Sequence, residues 1–374
     1  SSDLNHMNRA RLIPYKHNFY RRKKNILFLI SSIGGGGAER VACRLVSEFA
    51  KNHNVYLMYF HFKENTYPIS QNVQVIPFFA SELKKSNYFY SKMREAKIRI
   101  LGIEEIKKKY SINITISFLK SPNQLNIDAR GRGGLKILSE RNDPEGKGDE
   151  YYREMKSAYD KADKVVFQTN YAKNKFSPKV KRKSVIIPNP ICISCIANRF
   201  SKKKIVAVGR LVPQKNHALL IKSFSLFHKI HTEYILEIYG IGSLLNELQI
   251  LVNQLGLNNY VYFRGFFDDI HEKIKDAEQY VLSSDFEGMP NSLMEAMMMG
   301  LPCISTNCSG IPEIIDNEIN GVLVEKNDIL GLAMAMLRLS EDKELRNKLG
   351  NNAMRKSEEW KLEKIVQKWE ELFY

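Results

Sequence analysis

The chain has 374 residues, 44% of them hydrophobic, and a formal net charge of +16. That length ordinarily makes two domains, each able to bury a core, and no apolar run approaches the roughly 20 residues that a membrane-crossing helix requires. Five cysteines exclude a disulfide scaffold and suit a reducing compartment, so a cytoplasmic location is expected.

The charge is unevenly placed. Residues 1–200 hold 37 Lys and Arg against 17 Asp and Glu, whereas residues 201–374 hold 20 against 24. The positive excess lies entirely in the first half. It implies an anionic partner there: a membrane surface, a phosphorylated acceptor or nucleic acid.

Taken from Met7, the chain opens its regular structure with an apolar run at Ile26–Ile30. The run leads into glycines and a helical pattern rather than a small-residue cleavage site, which argues against a secretory signal. Strand-like runs follow at Val55–Phe60, Val73–Phe78, Ile112–Phe118, Leu135–Leu138, Val165–Gln168 and Ser184–Ile187. Between the first two, Val41, Ala42, Leu45, Val46 and Phe49 recur at helical spacing. Pro188–Lys204, with two prolines and a basic run, reads as a linker. A second series comprises Ile205–Val208, Tyr234–Tyr239, Val261–Phe263, Tyr280–Leu282, Cys303–Ser305 and Val322–Val324, separated by helical stretches at Asn216–His231, Gly242–Leu255 and Pro290–Met299. Alternation of this kind predicts two successive α/β units with doubly wound parallel sheets, whose ligands bind beyond the carboxyl ends of the strands.

Gly34–Gly37 follows the first strand and opens a helix. Such a loop either makes a tight turn or offers amides to an anion. A dinucleotide site would need an acidic ribose reader at the end of the second strand, but that strand ends Tyr59-Phe60-His61, so NAD is disfavoured. Cys192 and Cys195 form one C-x2-C without a second pair or neighbouring histidines, too little for a zinc site, and no metal is expected.

The most informative stretch is Ser283 to Ala296, SSDFEGMPNSLMEA. Pro290 suits a first helical turn, which puts Glu287 in the loop before a helix and Glu295 inside it. Free amides at the start of that helix, around Met289 to Ser292, can hold a phosphate or a sugar hydroxyl, and carboxylates accept from sugar diols. The alternative is a capping Glu287 and a solvated Glu295.

E-G-x-P-x-x-x-x-E-A-M with this E-x7-E spacing resembles the donor site of family-4 glycosyltransferases of the GT-B fold. Other segments agree in order. Val208-Gly209-Arg210 with Lys215-Asn216 is similar to the family's G-R-L…K-N segment, and Tyr239-Gly240-Ile241-Gly242 to its G-x-G turn. Phe263-Arg264-Gly265-Phe266 resembles the strand and turn beside the nucleotide base. Ser309-Gly310-Ile311-Pro312-Glu313 resembles G-G-x-x-E, with Ser309 in place of the first glycine. Gly36 to Arg40, GGAER, resembles a run in members that build bacterial surface glycans, and Val185–Pro190 the crossing between domains. The likeness covers 205–356, 26–50 and 184–191 and is weak from 60 to 135.

The resemblance implies two Rossmann-like domains facing across a cleft: an acceptor-binding domain at 7–190, a nucleotide-sugar-binding domain at 191–356, and a final helix at 357–374 crossing back to the first. It implies a retaining, metal-independent transfer of a hexose or N-acetylhexosamine from a nucleotide sugar, with UDP favoured. Arg210 and Lys215 would neutralise the donor diphosphate, and Glu287 would sit by the donor sugar. Glu295 would accept from the ribose. Gly36, Gly37, Gly240, Gly242, Arg264, Met289, Pro290, Asn291 and Ser292 would line the donor. Where many relatives have a histidine, this chain reads Glu140-Arg141-Asn142, assigned to the donor sugar or the acceptor.

The basic first half then fits a lipid-linked or polysaccharide acceptor and peripheral association with the inner face of an anionic membrane. A candidate is Tyr88–Tyr110, where Lys92, Arg94, Lys97 and Arg99 interleave with Ile98 and Leu101; Arg21–Lys24 and Lys107–Lys109 add to it. Competing readings are a soluble or protein acceptor and a non-catalytic sugar-nucleotide-binding partner. A nucleic-acid partner is not expected, since no zinc-finger spacing or RNP-like motif is present.

Overall fold

The computed structural model describes residues 22–79, 88–131, 134–143, 148–198 and 202–374. The first sheet contains β1 (Asn25–Ile30), β2 (Asn54–Tyr59), β3 (Val73–Pro77), β4 (Ile114–Phe118), β5 (Leu135–Ser139), β6 (Lys164–Phe167) and β7 (Ser184–Ile186). Its helices are α1 (Gly37–Phe49), α2 (Tyr88–Lys109), α3 (Lys120–Asp128), α4 (Gly148–Lys161), α5 (Asn170–Asn174) and α6 (Pro178–Arg182). The second sheet contains β8 (Lys204–Val208), β9 (Ile235–Tyr239), β10 (Val261–Gly265), β11 (Gln279–Leu282), β12 (Cys303–Thr306) and β13 (Val322–Val324). With it come α7 (His217–His228), α8 (Leu245–Gln254), α9 (Ile270–Ile274), α10 (Asn291–Met299), α11 (Ile329–Glu341) and α12 (Lys343–Ser357), and α13 (Leu362–Glu370) lies at the end of the chain. Every expected strand is present, with ends shifted by no more than two residues.

The strand orders are β3-β2-β1-β4-β5-β6-β7 and β10-β9-β8-β11-β12-β13. The ladders are parallel throughout. Each order reverses beside its first strand, between β1 and β4 and between β8 and β11. Those are the switch points where doubly wound sheets leave a crevice.

Central parallel strands are covered on both faces and therefore read as unbroken apolar runs. In β1, Ile26, Phe28 and Ile30 face a core shared with Val41, Leu45 and Phe49 of α1. Leu27 and Leu29 face the other way, onto Ile103 of α2 and Leu125 of α3. The second sheet repeats the plan: Ile205 and Ala207 meet α7 and α11, while Val206 meets α10.

The chain crosses between the sheets twice, side by side: Ile191 N–H donates to Trp360 O at 2.8 Å, and Ile191 bridges Lys361. Trp360 lies in the second core. Ile365, Trp369 and Phe373 lie in the first, with Trp369 against Phe118.

The basic helix differs from expectation in one residue. Arg99 does not face out: it is buried, paired with Glu95 and set over the Phe60 ring at 5.0 Å. One turn on, Ile103 packs on the sheet. The open face carries Met93, Arg94, Lys97 and Leu101. Arg21 and the side chains of Tyr88–Lys92 lie outside the described residues. Among the described residues no helix is long and apolar enough to cross a membrane.

Candidate active site

The sequence motifs of the second half meet where β8 and β11 end. After β8, a single 3-10 turn at Pro213–Lys215 stops at Asn216, whose φ of 43° is left-handed. Asparagine tolerates that region, and Asn216 caps α7 by accepting from Leu219 N–H at 3.2 Å. Its amide also donates to Asp285 at 2.7 Å. Gln214 Nε2 donates to Phe286 O at 2.9 Å, and Ser283 Oγ to Lys215 O at 3.0 Å. These bonds lace the loop after β8 to the loop after β11.

Lys215 Nζ thereby reaches the carboxylate of Glu287, which also accepts from Ser284 Oγ at 2.6 Å. Glu287 is 5% exposed and does not cap α10, whose N-cap is Pro290 with no side-chain bond. Pro290 thus sits one residue before the helix rather than in its first turn. Glu295 lies within α10 and is 3% exposed, so it is not a solvated helix residue. Arg210 is exposed beside this pair in sequence. Its carbonyl accepts from the ring of His217, the first residue of α7. Burial lowers the His217 pKa to about 4, so the ring is neutral at neutral pH and holds the loop.

The G-x-G turn packs backbone on backbone. Gly240 has φ 145°, and a Cβ there would stand 1.9 Å from Gly209 O. Only glycine lets the turn after β9 close on the loop after β8. The Arg264 guanidinium is engaged away from that turn: Nε and Nη2 donate to Glu237 at 2.9 and 2.6 Å. Burial raises the Glu237 pKa, but Tyr239, Arg264 and Lys204 outweigh it and leave the carboxyl below its ordinary range. Ser292 Oγ accepts from Tyr280 at 2.9 Å.

The first sheet closes over these loops. A Cβ on Gly37 would be 3.2 Å from Asn291 Nδ2, so the glycine loop lies directly on the start of α10. Arg40 Nη2 donates to Glu295 Oε1 at 2.5 Å. Asn189 Nδ2 donates to Asn291 Oδ1 at 2.7 Å and Met289 O at 3.3 Å. Its Oδ1 accepts from Arg141 Nη1 and Gln168 Nε2 at 2.8 and 2.7 Å. Glu313 accepts from the Asn170 and Tyr171 amides at the start of α5, at 2.8 and 2.7 Å.

Glu140, Arg141 and Asn142 share one buried network. Glu140 accepts from the Arg141 and Asn142 amides at 2.9 and 2.8 Å, and from the Tyr151 and Tyr159 hydroxyls at 2.7 and 2.5 Å. Its carboxylate therefore shapes the loop. Arg141 lies over the Phe118 and Trp369 rings, 4.2 and 5.7 Å from their centroids, and burial lowers its pKa to about 9. Arg40, Asp143, Asn189 and His271 were not assigned roles from sequence. Arg40 had one available signal: a cation in the first turn of a helix opposes the helix dipole and calls for an anion nearby.

Among the described residues, no group of three or more His, Cys, Asp or Glu could hold a metal ion. What the arrangement can do is bind an anion-bearing ligand between two switch points, with Arg210, Lys215 and the amides at the start of α10 as donors and Glu287 and Glu295 as acceptors.

Residues 197–356 match the family described as "Glycosyl transferases group 1". That segment is a group 1 glycosyl transferase domain, and the chain as a whole has the GT-B fold. It is 27% identical over 354 residues to a Campylobacter jejuni enzyme, GalNAc-alpha-(1->4)-GalNAc-alpha-(1->3)-diNAcBac-PP-undecaprenol alpha-1,4-N-acetyl-D-galactosaminyltransferase, covering 92% of this chain and 96% of that one. It is 34% identical over 154 residues to an Escherichia coli UDP-Gal:alpha-D-GlcNAc-diphosphoundecaprenol alpha-1,3-galactosyltransferase, covering 38% and 40%. The GT-B architecture is shared with TarM at a TM-score of 0.80 and 16% identity, covering 95% of this chain and 99% of TarM. It is shared also with an Anabaena protein crystallised with UDP and glucose, at 0.76 and 17% over 93% and 98%.

Proposed function

We infer that this glycosyltransferase moves a hexose or N-acetylhexosamine from a nucleotide sugar, with UDP as the nucleotide, to a lipid-linked or polysaccharide acceptor at the membrane. The observation that carries the reading is the Lys215–Glu287 pair at the switch point of the second sheet, eight residues ahead of Glu295 on α10. The names of the Campylobacter and Escherichia relatives support the lipid-linked acceptor, and the UDP complex of the Anabaena neighbour supports the nucleotide.

In this reading residues 191–356 hold the donor, residues 7–190 the acceptor, and 357–374 ties the two. Arg210 and Lys215 face the diphosphate, where charge grows as the leaving group departs; fixed cations stabilise that growth directly, and the step asks for no metal. The amides of Gly36 and Gly37 and those around Met289–Ser292 add donors. Lys215 leaves Glu287 for the diphosphate when the donor enters, and Glu287 turns to the sugar hydroxyls. Glu295 takes the ribose. Gly240, Gly242 and the backbone at Arg264 flank the base.

Transfer proceeds with retention. The anomeric carbon's bond to the β-phosphate oxygen breaks, the acceptor oxygen bonds to that carbon on the same face, and the acceptor proton passes to the departing phosphate. In this reading the first domain rests on an anionic bilayer from the cytoplasmic side, which the basic, apolar-flecked outer face of α2 supports.

The test is nucleotide release from a panel of UDP- and GDP-sugars with and without a bacterial lipid extract. Lipid-stimulated release from one UDP-sugar supports the reading. Release indifferent to lipid favours a soluble acceptor. Nucleotide binding without release favours a non-catalytic partner, and unchanged transfer by both Lys215→Ala and Glu287→Ala refutes the site.

A further inference from the structure

Loops from four strands converge one residue from Glu287. A Cβ on Gly288 would lie 3.4 Å from Gln168 Oε1, 3.5 Å from Asp143 N and 3.6 Å from the Asn142 carbonyl carbon. A Cβ on Gly310 would lie 2.5 Å from Gly288 O. The ends of β5, β11 and β12 thus meet backbone to backbone, across both sheets.

At this meeting point the chain departs from its family pattern. Ser309 stands where the pattern has glycine, yet its φ is 38°, a left-handed conformation that strains a serine. What offsets that strain is visible: Ser309 Oγ donates to Asp143 Oδ2 at 2.7 Å across the cleft. Asp143 is buried, and its loop is held by the two amide bonds to Glu140. A carboxylate and a hydroxyl are therefore preorganised next to the Glu287 loop. Carboxylates accept through both oxygens from several donors at once, the chemistry by which a site reads the hydroxyls of a pyranose.

We propose that Asp143, oriented by Ser309, is a specificity-determining residue that accepts a hydrogen bond from a hydroxyl of the transferred sugar. The proposal rests on the donor-site reading above. A site built to bond a hydroxyl rejects the sugar whose hydroxyl points elsewhere, so Asp143 contributes to discrimination between epimers rather than to holding the nucleotide.

The experiment measures affinities of the full chain for UDP, UDP-glucose, UDP-galactose, UDP-N-acetylglucosamine and UDP-N-acetylgalactosamine by calorimetry. The expected result is that Asp143→Asn binds UDP within about twofold of wild type. Its affinity for the preferred UDP-sugar falls about tenfold or more, and its preference between epimers collapses. Ser309→Gly, which relieves the backbone and removes only the hydroxyl, keeps its melting temperature and loses part of the preference. It serves even if the Asp143 variant does not fold. Unchanged epimer preference in Ser309→Gly and in folded Asp143→Asn overturns the proposal while leaving the donor site standing. Wild-type protein that binds UDP but shows no preference overturns it too. Wild-type protein that binds no UDP sinks the donor-site reading, and the proposal with it.

Discussion

Arg40, in the first turn of α1, donates to Glu295, in the middle of α10, at 2.5 Å, and His271 Nε2 lies 3.6 Å from the other carboxylate oxygen. One buried carboxylate thus joins the two sheets. If Glu295 serves the ribose, donor entry and this contact compete for the same oxygens. Arg40→Ala is expected to open the empty cleft, read as a larger radius of gyration by X-ray scattering, at a stability cost of about 1–3 kcal/mol. Identical scattering from variant and wild type would refute the latch.

Lys215 and Glu287 satisfy each other in the empty site and separate, in the proposed mechanism, when the diphosphate arrives. Lys215→Ala should lower kcat by about 10²–10³-fold, the scale of a lost transition-state donor. Lys215→Ala/Glu287→Ala should be no worse than about the weaker single variant, because the two act as a unit. Additive losses in steady-state kinetics would show that they act independently.

The Glu140 network is a stability element first. Glu140→Ala leaves the Tyr151 and Tyr159 hydroxyls and two loop amides without their acceptor. Unsatisfied buried groups cost about 1–3 kcal/mol each. Urea unfolding should show a loss of about 3 kcal/mol or more, with Tyr159→Phe losing about 1 kcal/mol. A near-neutral Glu140→Ala would mean that the loop rehydrates without strain.

His217 predicts an acid-side window. Its folded pKa is lowered to about 4 by burial, against about 6.5 in the unfolded chain. Above pH 6.5 both states hold a neutral ring and the group contributes nothing to pH dependence. Below it the unfolded chain takes up a proton that the folded one refuses, so stability falls between pH 6.5 and 4. The loss is about 2 kcal/mol at pH 5. His217→Gln should flatten that part of the stability–pH curve. An unchanged slope would mean that other groups produce it.

Much of the fold was legible because its signals are local. Buried parallel strands are runs such as Ile26–Ile30 and Ile205–Val208, and the loops between them carry Gly34–Gly37 and Pro290 where turns and helix starts demand them. Where the candidate site residues fall on these elements was legible in the same measure. The spacing from Glu287 to Glu295 places one carboxylate before α10 and one within it, and Lys215-Asn216 marks the start of α7.

Other features have no local signal. The alternation in α2 suggested that Arg99 faced outward, but the side chain is turned onto Phe60. Glu140 has partners that no local pattern announces: two tyrosines, 11 and 19 residues on, donate to its carboxylate. What the sequence by itself determined, then, is two doubly wound sheets and the residues at the mouth of each. What only the tertiary structure decided is how the mouths meet: Arg40 with Glu295, Asp143 with Ser309, Asn189 with Asn291, Glu313 with the start of α5. These partners lie 102 to 255 residues apart. No periodicity links them, because each sheet satisfies its own hydrophobic pattern alone. The mutual seating of the sheets is set by the paired crossings at Ile191 and Lys361 and by Trp369 docking back into the first core.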